Sequence, residues 1–89
     1  MSLNRHAKRR DANEPEIVNA LEKLGADVFR LDAPADLLVG LRGQWYLMEV
    51  KMPKGRLTVK QKRVHATTRT QIPIVQNIEE ALQVVFKQS

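Results

Sequence analysis

The stretch "DLLVGLRGQWYLMEVK", residues 36 to 51, constrains this chain more than any other, because two strand-like apolar runs flank Arg42-Gly43. Glycine supplies the positive φ of a tight turn, so the runs pair as an antiparallel hairpin. With Arg42 and Gly43 at the turn, Asp36 falls opposite Glu49. Directly opposed residues share a face with Cβ atoms about 4.5–5.5 Å apart. Lys51, two positions past Glu49, projects from that face too. A four-residue loop, Leu41 to Gln44, keeps this register, whereas a three-residue loop turns Asp36 and Glu49 to opposite faces.

The rest of the chain supplies layers for that hairpin. Asn13 suits a helix cap, Pro15 fits a first turn and Glu16 completes a capping box. Ile17, Ala20, Leu21 and Leu24 mark one helical face, and Gly25 suits the stop. "ADVFRL" alternates as a strand and breaks at Asp32-Ala33-Pro34. Thr58 with Gln61 forms a second capping box, opening a helix to about Arg69. "IPIVQ" reads as a fourth strand, and Asn77 with Glu80 opens a last helix through about Phe86. The expectation is one α/β domain over residues 1–89, ordered helix, three strands, helix, strand, helix, behind a basic arm at 1–12.

A chain of 89 residues buries only about 60–65% of its unfolded surface, which a dimer would improve. Without cysteine it carries no disulfide or thiolate metal site and suits a reducing cytoplasm. No apolar run approaches the roughly 20 residues that span a bilayer, so the expectation is a cytoplasmic protein outside the membrane. The net charge of +5 matters less than its distribution. Arg5, Lys8, Arg9 and Arg10 crowd the start, and residues 51 to 69 hold Lys51, Lys54, Arg56, Lys60, Lys62, Arg63 and Arg69 without an acid. Such segments suit a polyanion. Solvated surface charge is the plainer alternative.

Opposed carboxylates repel, so Asp36 and Glu49 call for compensation. A hard cation such as Mg²⁺ supplies it, since it takes one or two protein carboxylates and substrate phosphate while retaining water. Lys51 suits either the carboxylates or a phosphoryl oxygen, and an edge-of-sheet salt bridge is the bland alternative. Glu14 shares the sheet-facing stripe of Ile17, Val18 and Leu21, while Glu16 falls on the polar side. Stabilisation of the helix dipole accounts for either acid without a site. Gln61 faces inward beside Leu57 and Val64, with roles as cap or as site residue both open. His65 lies one turn later and reads as a surface or phosphate contact, and Trp45 and Tyr46 read as packing residues.

Asp36, twelve intervening residues and Glu49-Val50-Lys51 resemble the PD-(D/E)XK nuclease signature. The longer run "EVKMPKGRLTVKQ" is similar to the virus-type replication-repair nuclease (VRR-NUC) branch, and "NEPEIV" resembles its context in archaeal Holliday-junction resolvases. The likeness covers Asn13 to Leu82; the proline expected directly before the Asp is displaced to Pro34. It implies a restriction-endonuclease-like core and a Mg²⁺- or Mn²⁺-dependent endonuclease, acting as a homodimer on branched DNA such as Holliday junctions or flaps. The implied metal ligands are Asp36, Glu49, the Val50 carbonyl and Glu14, with Lys51 as catalytic lysine and Gln61 beside it. Arg9, Arg10, Lys54, Arg56, Lys60, Lys62 and Arg63 would hold DNA. A phage or mobile-element origin is a further implication. The rival expectation is a non-catalytic DNA- or RNA-binding module.

Overall fold

The structure, a computed structural model, describes residues 10–87; the expectations for Arg5, Lys8 and Arg9 lie outside the described residues. Three helices and four strands follow one another as α1 (Glu14–Lys23), β1 (Asp27–Arg30), β2 (Leu37–Leu41), β3 (Gln44–Val50), α2 (Val59–Thr67), β4 (Ile74–Val75) and α3 (Ile78–Phe86). The sheet is mixed, in the order β1-β2-β3-β4: the first three strands are antiparallel and β4 runs parallel to β3. Among the described residues no helix is long and apolar enough to cross a membrane.

Arg42 and Gly43 form the two-residue turn with φ of 52° and 80°, the left-handed pair that matches the twist of the flanking strands. Leu37 therefore pairs with Met48 and Leu41 with Gln44. One more step along this register brings Asp36 across from Glu49. On one face Leu37, Val39, Met48 and Val50 meet Ile17, Val18 and Leu21 of α1 and Ala81 and Val85 of α3 in a common core. The other face carries Leu38, Gly40, Trp45 and Leu47, and ends at Asp36 and Glu49.

Among the described residues only that end of the second face is covered, by α2, a helix that buries no residue. The remainder is open. Phe29 and Trp45 stay 53% and 58% exposed, with ring centroids 6.1 Å apart. A Cβ on Gly40 would come within 2.7 Å of the indole, so glycine there lets Trp45 lie close over β2. The expectation that Trp45 packs inside is corrected, whereas Tyr46, on the opposite face, is half-buried against the core.

The expected Asn13 cap is also corrected. Asn13 holds the cap position without capping; its amide donates to the Lys51 carbonyl at 3.0 Å and the Gln76 carbonyl at 2.8 Å. The partly buried carbonyls at the converging ends of β3 and β4 claim the amide that a cap would need. The other two caps form as expected, at Thr58 and at Asn77, whose Oδ1 accepts from Glu80 N–H at 2.8 Å. α2 stops at Thr67, short of Arg69, and β4 keeps only two residues.

Asn13→Ala should lower the unfolding free energy by about 1–3 kcal/mol through the two abandoned carbonyls. Urea denaturation measures this, with Asn19→Ala on the exposed side of α1 as a near-neutral reference within about 0.5 kcal/mol. Equal losses from the two variants would show that the Asn13 bonds carry no weight.

Candidate active site

Val50 N–H points toward β2 just where that strand has ended. Asp36 takes its place in the ladder: its Oδ2 accepts the Val50 N–H at 2.8 Å, while its own N–H donates to Met48 O at 3.1 Å and its carbonyl accepts from Leu31 N–H at 2.8 Å. The side chain is thus a strand-end cap and is buried. Across from it, Glu49 is 1% exposed and its N–H donates to Pro73 O at 2.8 Å.

Two residues one turn apart on α2 close over Glu49. Gln61 Nε2 donates to Glu49 Oε2 at 2.8 Å, and His65 Nε2 lies 3.8 Å from Oε1. Gln61 also completes the capping box: its Oε1 accepts from Thr58 N–H at 2.8 Å and its N–H donates to Thr58 Oγ1 at 3.1 Å. The two roles weighed for Gln61 are therefore compatible. His65, for which reach into this pocket is the less favoured expectation beside a surface or phosphate contact, turns its ring toward Glu49.

Lys51 is half-buried on the face of Glu49, its N–H bound to Val75 O at 3.0 Å. Among the described residues its ammonium enters no hydrogen bond or ion pair, so the bland edge-of-sheet salt bridge does not form with them. Lys51, Glu49, Gln61, Arg10 and Lys60 line one cavity of about 620 Å³, together with Asp11 and Asp32, acids whose place here no spacing in the sequence revealed. A larger hollow of about 890 Å³ runs along β4 and α3. Its one acid, Glu80, accepts the Gln76 N–H at 2.8 Å, and no comparable set of groups converges there.

Glu14 is 1% exposed and Glu16 is exposed, as the stripe argument expects. Its carboxylate, however, is held by two guanidinium groups: Arg30 Nε at 3.0 Å from Oε2 and an Arg10 terminal nitrogen at 3.4 Å from Oε1. The same Arg10 nitrogen lies 3.5 Å from Asp36 Oδ1, and the other donates to Leu31 O at 3.0 Å. Arg10, expected on DNA, is thus built into the site. Arg30 was legible in principle, because alternation puts this charged side chain on the core face opposite Leu37, where it needs a partner.

Among the described residues no group of three or more His, Cys, Asp or Glu is arranged to hold a metal. The expected three-acid cage does not form with Glu14 in its arginine clamp. The remaining oxygen donors of that expectation are Asp36 and Glu49, opposed at the end of the hairpin, and the carbonyl of Val50, the residue after Glu49; a hard divalent cation needs only one or two protein carboxylates and keeps its own waters.

Lys54, Arg56, Lys60, Lys62 and Arg63 are all exposed along the loop after β3 and on α2. Gly55 closes that loop: its N–H donates to Met52 O at 2.7 Å, and a Cβ would stand 2.8 Å from the same oxygen. Comparison with known proteins gives no match: no protein-family model fits the chain, and no curated protein or solved structure is significantly similar to it.

Gln61→Glu separates the two roles of Gln61, because a carboxylate still accepts the Thr58 N–H but cannot donate to Glu49. It should weaken the docking of α2 by about 1.5–3 kcal/mol, the range for a hydrogen bond to a charged group. Hydrogen exchange would read this as faster exchange over 59–67 with β2 and β3 unchanged. Uniform acceleration, or none, would contradict the proposed anchoring.

Proposed function

We propose that this chain is a metal-dependent endonuclease of the restriction-endonuclease-like kind, similar to the VRR-NUC branch, that hydrolyses phosphodiester bonds in branched DNA. The observation that carries this reading is the Asp36–Glu49 rung at the end of the hairpin, with the Lys51 ammonium on the same face in a cavity edged by basic residues. Asp36, Glu49 and the Val50 carbonyl would hold Mg²⁺, with Mn²⁺ able to substitute. When bound, the ion supplies an activated water and neutralises charge on the scissile phosphate.

The chain's own residues divide the remaining work. Lys51 stabilises negative charge that develops on the phosphoryl oxygens, an effect that is large in a site where water is scarce. Gln61 fixes the rotamer of Glu49, and Arg10 fixes Asp36, so neither carboxylate must be ordered at the moment of reaction. Glu14 acts through Arg10. Lys54, Arg56, Lys60, Lys62 and Arg63 grip backbone phosphates on either side, which gives affinity with little sequence preference. Two copies acting together would cut both strands of a junction.

One observation favours a second reading, a non-catalytic DNA- or RNA-binding module: Asp36 already caps Val50 N–H and Glu14 already has two arginines, so both acids have structural work without a metal. Cleavage separates the two. Labelled duplex, flap and four-way-junction DNA should be nicked with Mg²⁺ or Mn²⁺ and left whole in EDTA. Lys51→Ala and Glu49→Gln should each slow nicking by about 10²–10³-fold or more while metal-free DNA binding stays within a few-fold of wild type. A Lys51→Ala protein that cuts at the wild-type rate would remove the lysine from the mechanism, and a wild-type protein inert on every substrate would leave the binding module.

A further inference from the structure

Trp45 and Glu49 alternate onto the same face of β3, about 13 Å apart at the rise of a strand, yet the indole is open to solvent. Beside it lies a second cavity, of about 540 Å³, whose lining includes Leu47, Pro73, Arg69, Thr70 and Gln71, and no acid. Pro34 borders both this cavity and the one that holds Glu49 and Lys51. Gly40 lies beneath the ring and Phe29 beside it, which leaves the indole laid along the sheet with much of its surface exposed.

We propose that this cavity is a stacking subsite for unpaired DNA bases, with Trp45 as the platform and Arg69 on the adjoining phosphate. Every base has a π-face, so an exposed tryptophan beside a cation holds single-stranded nucleic acid without reading its sequence. Arg69 and the acid-free lining supply the charge complementarity, and the shared Pro34 border sets the path of the strand toward Lys51. Asp27, opposite Gly40 on the other side of the indole, repels phosphate and keeps the strand off β1. The substrate is thereby narrowed to DNA with unpaired nucleotides close to the cut, a flap or an open branch rather than intact duplex. The direction of the strand rests on the nuclease reading; the stacking itself does not.

Trp45 is the chain's one tryptophan, so tryptophan fluorescence, excited beyond the tyrosine band, reports on it alone. In EDTA, an oligothymidylate of about ten nucleotides should quench it saturably. Flap DNA should bind about tenfold tighter than duplex of equal length. Trp45→Ala should erase that preference with duplex binding unchanged, and Trp45→Phe should keep most of it. Absence of quenching, a preference that survives Trp45→Ala, or fluorescence that shifts with protein concentration alone as sedimentation shows a dimer would each overturn the subsite, the last by assigning the face to a second copy. If the preference survives Trp45→Ala while Lys51→Ala abolishes nicking, the subsite falls and the nuclease stands. If the preference is lost but no metal supports nicking, the reverse holds.

Discussion

The turn at Arg42-Gly43 fixes a register, and both the core and the polar end of the sheet follow from it. A slip of one residue would carry Leu37, Val39, Met48 and Val50 off the helix-covered face and turn Glu49 and Lys51 into it. Burial of apolar strand residues at roughly 25 cal/mol per Å² opposes that slip, and so does the cost of charge placed against α1 and α3 without partners. Apolar packing on one side of the sheet therefore holds the acids together on the other.

Coverage of the two faces is unequal, with consequences for motion. α1 and α3 bury their apolar stripes, whereas α2 buries no residue and rests on the sheet through Gln61 and His65 at Glu49. Elements with little apolar burial open at lower free energy than the core they lean on. The helix with the least burial is thus tied to the proposed active carboxylate, and it carries Lys60, Lys62 and Arg63. A phosphate strand drawn onto those cations would press α2 against Glu49, coupling substrate binding to the order of the site.

What was legible in the sequence was local. Alternation along two strands and one tight turn suffice to oppose Asp36 and Glu49, and the Thr58 and Asn77 caps depend on residues three apart. The misread positions depend on distant chain. Asn13 has the chemistry of a cap, but the ends of β3 and β4, far along the sequence, present carbonyls that claim its amide. Trp45 looks like packing because a strand residue is buried only if some layer covers it, and α2 is too short and too displaced to do so. In the Arg10 and Arg30 clamp on Glu14, Arg10 lies four residues before Glu14 but outside α1, and Arg30 reaches it from β1.

That clamp explains how a helix on one face of the sheet bears on an acid of the other. A carboxylate as buried as Glu14 requires charged partners, and removing one from such a group is far more costly than the pair is stabilising. Among the described residues Arg30, half-exposed at 49%, pairs with Glu14 only, but Arg10 divides its donors among Glu14, Asp36 and the Leu31 carbonyl. The sequence of contacts from Arg30 through Glu14 and Arg10 to Asp36 rounds the end of the sheet and ends on the atom group that caps Val50 N–H. Charge on the first turn of α1 therefore bears on Asp36 through Arg10 without approaching the cavity, beside the shorter bond from Val50 N–H, and the acid at position 14 has this role whether or not it ever touches a cation.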